Sequence, residues 1–217
     1  MIFDFSNCGT VLEKNVIYGL FFKKKMKNLI FGLFCFVCFS FIFQKKQPDD
    51  DVILWSSVVK LKWDNFKGVQ DTLSKYKAVT STNIKTKANV FTEDLVDYNI
   101  MCLFEKNKSW TKDDKSNSLL QHEQIHFDIA ELVTRKLRKK FLNHKFTNLK
   151  GVNDMITQVF QEAIIERRAI NKTYDTETNH SIIVEKQKEW ELKIANELKG
   201  LEQYASTKVV IKREKKK

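Results

Sequence analysis

Residues 115–142 contain neither proline nor glycine, and Leu119, Leu120, Ile125, Ile129, Leu132, Val133 and Leu137 recur along them at helical spacing. The fold must be built around a long helix with a buried stripe, and Asn117 or Ser118 is its expected N-cap. Near its start stands His122-Glu123-Gln124-Ile125-His126. Residues four apart on a helix share one face, so both imidazoles can reach a single ion. Zn²⁺ takes neutral histidine nitrogens at about 2.0–2.1 Å and keeps a position for water in catalytic sites. Glu123 projects beside that face, where it can take a proton from that water. The pattern fixes only three positions, and its plain alternative is two ordinary helix histidines around a solvated glutamate. A long buried helix is the setting a metal site needs, and it favours the metal.

The segments around this helix define a domain. With 217 residues the chain can bury a real core, and a single proline and six glycines argue against long flexible linkers. Ile53, Trp55, Val59, Leu61 and Trp63 alternate and predict a strand over 53–63. A second strand is expected over 77–90, and a third over 96–104, where Val96, Tyr98, Ile100, Cys102 and Phe104 alternate. After the motif helix, Asp154 is expected to cap a second helix with Met155, Val159, Phe160, Ala163, Ile164 and Ile170 as its stripe. Tyr174 to His180 reads as a polar break, followed by a third helix over 181–204 with Trp190, Ile194, Leu198 and Leu201 on one face. The fold class is α+β: a small, mostly antiparallel N-terminal sheet followed by three helices. The domain is expected to span 52–205, with a loose basic tail at 206–217.

Residues 1–47 read as an extension and an export segment. Residues 28–43 are almost wholly apolar, and Lys23, Lys24, Lys25 and Lys27 precede them, the pattern of a secretory signal. An apolar run of about 15 residues falls short of the about 20 that span a bilayer, so an uncleaved anchor is the alternative. Met26 makes a more natural start than Met1. The expected location is secreted or periplasmic, with membrane contact only through 28–43. The net charge of +11 is concentrated in two lysine-rich ends, and no basic face interleaved with aromatics points to a nucleic-acid partner. Cys35 and Cys38 have C-x-x-C spacing but lie in the apolar run, without the context of a redox or zinc motif. Cys102 is expected as a small core residue.

A catalytic zinc site needs a third protein ligand. Asp128 and Glu131 point away from the two histidines and are expected to pair with Arg135. His180, in the polar break where a side chain can turn back over the motif helix, is the preferred candidate. Glu162 and Glu166, on the polar face of the second helix, are the alternatives; a glutamate on a following helix serves thermolysin-like enzymes. His144 reads as a surface residue. Tyr174 is either a donor to the oxyanion of a tetrahedral intermediate or an aromatic packed on the core. Asp175 either holds a ligand histidine through its second nitrogen or caps the turn.

Several pieces in order resemble a bacterial domain family of unknown function described as predicted secreted zinc-dependent proteases. They are Leu61-x-Trp63-x-x-Phe66-x-Gly68, Ala78-Val79-Thr80, Ser109-Trp110, the stretch from Leu119 to Ile129 around the motif, Arg135-x-Leu137, Tyr174-Asp175-x-x-Thr178-x-His180 and Gln187-x-x-Trp190. The resemblance implies a zincin-like site with His122 and His126 as ligands and Glu123 as base, and it supports His180. Asn65 stands where aspartate is usual, and Ser181 where glycine is usual. The expected function is a secreted or envelope zinc-dependent metallopeptidase acting on peptide or protein substrates, with Zn²⁺ as cofactor. The alternatives are a non-catalytic zinc-binding protein and a peptidoglycan amidase.

Overall fold

The long helix, α1, spans Asn117–Leu142, and its N-cap is Ser116, one residue before the first of the two expected caps, with the Ser116 side chain accepting from the Leu119 amide. The computed structural model describes residues 50–214. The apolar run 28–43, Cys8, Cys35 and Cys38 lie outside the described residues. Before α1 come β1 (Val52–Leu54), β2 (Ala78–Val79), β3 (Thr82–Phe91), β4 (Leu95–Glu105) and β5 (Trp110–Thr111). After it come α2 (Leu149–Thr178), α3 (Val184–Gly200) and β6 (Lys208–Lys212).

β4 is the spine of an antiparallel sheet. β3 pairs along one side of it, while β1 and β6 share the other, opposite residues 103–105 and 95–99 respectively. α1 lies between this sheet and the other two helices. On the sheet side, Phe127, Ala130, Val133, Leu137 and Phe141 meet Val96, Ile100, Cys102 and Phe104. On the far side, Ile125, Ile129 and Leu132 pack against Tyr174 of α2 and Trp190, Ile194 and Leu198 of α3. Each such side chain contributes about 1.5–3 kcal/mol on burial, so α1 is the helix that holds the layers together.

α1 also carries buried charge. Glu131 accepts from Arg135 Nε at 3.0 Å and Arg138 Nη1 at 2.8 Å. Arg135 donates on to the Leu198 carbonyl and Arg138 to those of Ile100 and Tyr204. The charges are therefore paired, and the guanidinium groups close carbonyls of β4, of the last turn of α3 and of the turn after it. Asp128, expected beside Arg135, instead accepts from Trp55 Nε1 and Gln124 Nε2.

Several boundaries differ from expectation. The strand expected over 53–63 stops at Leu54, because the chain leaves the sheet to cross α1: the Leu61 amide bonds Gln124 Oε1, and Trp63–Asn65 form a 3₁₀ turn. The strand expected over 77–90 breaks at Thr80-Ser81, where β2 pairs with β5 and β3 joins the sheet. That break lies over α1, with the Thr80 hydroxyl donating to the Glu123 carbonyl. It is pinned by Ser109, whose Oγ accepts from the Ser81 amide and whose carbonyl accepts from Gly68. A Cβ on Gly68 would stand 2.8 Å from that carbonyl, which explains a glycine there.

α2 starts before Asp154, with Asn148 as its N-cap, and it runs through the predicted polar break to Thr178. Thr176 and Thr178 donate their hydroxyls to the Lys172 and Tyr174 carbonyls, so these residues are satisfied within the helix. Residues Lys208–Lys212, expected in a loose tail, form a strand. Val209 and Ile211 alternate inward as β6, and the domain continues to the end of that strand.

Candidate metal centre

His122 and His126 share the face of α1 that meets α2. Their Nε2 atoms are 3.2 Å apart. Asp175, three residues before the end of α2, brings Oδ1 to 3.1 Å from His122 Nε2 and 3.0 Å from His126 Nε2. Two nitrogens and one carboxylate oxygen thus form a nearly equilateral triangle between two helices, and these are the three residues able to share an ion among those described.

The triangle is supported from behind. His126 Nδ1 lies 3.0 Å from Asn171 Oδ1. Asn171 Oδ1 can only accept, so Nδ1 carries the hydrogen and Nε2 of the neutral ring keeps its lone pair for the triangle. The His122 ring stacks on Tyr174 at 4.5 Å between centroids. Glu123 is buried, and its Oε2 has no hydrogen-bond partner in the protein. A buried carboxylate oxygen left open beside two imidazoles suits a group that receives a proton from elsewhere.

The charges follow from this packing. Burial lowers the His122 pKa, with the Asp175 hydrogen bond opposing it. Burial also acts to lower that of His126. The Asp175 hydrogen bond, the charges of Glu123 and Asp175 and the Asn171 bond outweigh it and push His126 up to about 9. Burial acts to raise Asp175, but hydrogen bonds from both histidines hold it well below the usual carboxylate range. At neutral pH the metal-free triangle therefore holds a proton between Asp175 and His126.

The donor set fits a zinc ion. Ligands at about 2.0–2.1 Å around a tetrahedral centre lie about 3.3 Å from one another, close to the 3.0–3.2 Å observed. The structure brings Asp175 together with the two motif histidines, and the third-ligand candidates considered from the sequence lie outside this group. His180 stands at the rim, with Nδ1 3.7 Å from Asp175 Oδ1. Glu162 and Glu166 are paired with Lys140 and Lys136, and Lys136 lies about 15 Å along α1 from His126. His144 sits past the far end of α1. Tyr174 is fully buried, with its hydroxyl 3.5 Å from the His122 carbonyl and Gln187 Oε1. That is the position of the packed aromatic, not of an oxyanion donor. The signal that could have exposed Asp175 was the reach of α2: extended by one more turn, its face places Asn171, Tyr174, Asp175 and Thr178 against α1.

Compared with known proteins, the chain matches over residues 59–181 the family described as bacterial protein of unknown function, DUF922. No curated protein and no solved structure matches it. The match covers more than half of the chain and takes in His122, His126, Asp175 and His180, so the protein belongs to this bacterial family.

Proposed function

We propose that this member of the family is an exported zinc-dependent metallopeptidase acting on peptides or proteins of the bacterial envelope. One observation carries the reading: two Nε2 atoms and a carboxylate oxygen converge within 3.0–3.2 Å, and beside them lies a buried glutamate with an open oxygen. Three protein donors leave room for water and substrate, whereas structural zinc sites close four positions with protein.

His122, His126 and Asp175 would hold the ion, with Asn171 setting the tautomer of His126 and Tyr174 fixing the ring of His122. When bound, Zn²⁺ supplies Lewis acidity, lowering the pKa of a water towards about 7 and polarising a carbonyl. Glu123 takes the proton of the attacking water and passes it to the leaving amine. An extended substrate added along the edge strand β3 would pass Thr80, which touches the Glu123 carbonyl. Export rests on the lysine-flanked apolar run 28–43; among the described residues no helix is long and apolar enough to cross a membrane.

The test is to incubate zinc-loaded wild type and Glu123→Gln with casein and with cell-wall sacculi. Cleavage of casein by wild type, lost in Glu123→Gln while zinc is retained, is the expected result. Cleavage of sacculi alone moves the reaction to an amidase, and no cleavage of either removes the peptidase reading.

A further inference from the structure

The ligand triangle is exposed at its Asp175 corner. Side-chain exposure rises from 3% at His122 through 14% at His126 and 29% at Asp175 to 44% at His180. His180 therefore stands where a molecule approaching the triangle arrives. Its 3.7 Å separation from Asp175 Oδ1 exceeds hydrogen-bond reach, and its ring centroid is 6.4 Å from that of His122. It is beside the donor set but outside it.

Although exposed, His180 is held. Asn179, His180 and Ser181 all have positive φ, at 47°, 53° and 77°. Non-glycine residues in sparsely populated backbone regions cost about 1–3 kcal/mol each and persist where the surroundings impose them. Here the His180 amide donates to the Asp175 carbonyl at 3.0 Å and the Ile183 amide to that of Thr178 at 2.9 Å. The Ser118 hydroxyl of α1 donates to the Ser181 carbonyl. From the other side the Tyr76 ring meets His180 edge-on at 5.3 Å. The loop bearing Tyr76 is fixed in turn by Lys112, whose Nζ donates to the Ser74 carbonyl and whose amide donates to that of Lys77. An exposed imidazole gripped by these contacts, beside the exposed edge of the donor set, is arranged to contact something that comes from solvent.

We propose that His180 is a substrate-contacting residue, not a metal ligand: its imidazole N–H donates to the carbonyl oxygen of the bound peptide bond and to the oxyanion that oxygen becomes, while Tyr76 fixes the ring. The proposal rests on the metallopeptidase reading for the nature of the substrate. Removal of one oxyanion donor lowers kcat by about 10²–10³, with little effect on the ligands of the ion.

Zinc affinity, read by competition with a chromophoric chelator, and affinity for a phosphonamidate dipeptide, whose tetrahedral anion imitates an attacked peptide bond, separate the roles. Both are measured on wild type, His180→Ala and His180→Gln. The expected result is zinc affinity unchanged within about threefold, while the phosphonamidate binds at least about tenfold more weakly to His180→Ala and partly recovers in His180→Gln, whose amide can donate. Zinc affinity falling by about thirtyfold or more would make His180 a ligand and overturn the proposal, as would unchanged phosphonamidate binding. The expected pattern in a protein that cuts no casein would support the contact and remove only the peptidase reading. Absence of zinc binding by wild type would overturn both.

Discussion

At His126 two demands compete for one nitrogen. Asp175 holds a proton on Nε2, pushing the pKa up to about 9, and a metal must displace that proton. Zinc binding near pH 7 should therefore release about one proton, seen as a dependence of calorimetric enthalpy on buffer ionisation; no dependence would show that His126 is neutral. The same shift has a sign for stability. A histidine raised from about 6.5 stabilises the metal-free protein fully below that pH and loses the contribution as pH rises towards about 9. In chelator, the melting temperature should fall across this window, and Asp175→Asn should flatten the fall. Ser181 stands at φ 77°, a left-handed backbone that favours glycine. Ser181→Gly should raise stability by about 0.5–1 kcal/mol in chemical unfolding; a loss would mean the left-handed turn is not strained. At this scale His122, Glu123 and His126 were legible because helical spacing alone sets them on one face. Asp175 was legible only as a partner for one ligand histidine and not as the third corner, because His122 and His126 lie 53 and 49 positions away in the chain and only tertiary packing joins them.

Element boundaries explain why its place as the third corner was hidden. Tyr174–Thr178 looks like a loop by polarity, yet threonine hydroxyls bond back to i−4 carbonyls and Tyr174 and Thr178 are buried, so α2 gains another turn. The helix ends only at Asn179, whose left-handed backbone caps it. In the same way the charges of Lys208, Lys212 and Arg213 mask the inward alternation of Val209 and Ile211. Ile211→Ala should cost about 2–4 kcal/mol in urea unfolding, and a change near zero would mean that β6 adds nothing to the sheet. β4, α1 and α3 were readable, since their apolar periods are uninterrupted and their partners follow from amphipathicity.

For the whole molecule, the α+β order of sheet strands and then three helices follows from the sequence. The return of the C-terminal strand to the sheet does not, because pairing with β4 is a long-range choice among edges. The triangle draws two corners from α1 and one from α2, so a bound ion would add a link between two helices that already meet through packing, the His126–Asn171 bond and the Lys136–Glu166 and Lys140–Glu162 pairs. Zinc at about one hundred times its dissociation constant should stabilise the fold by about 2.7 kcal/mol, read as a rise in melting temperature that Asp175→Ala abolishes. The most direct test of the account is a zinc titration of wild type, Asp175→Ala and His126→Ala. One equivalent bound by wild type, with affinity at least about thirtyfold weaker in both variants, is predicted. Full-affinity binding by Asp175→Ala would contradict the assignment of the third ligand, and with it the site.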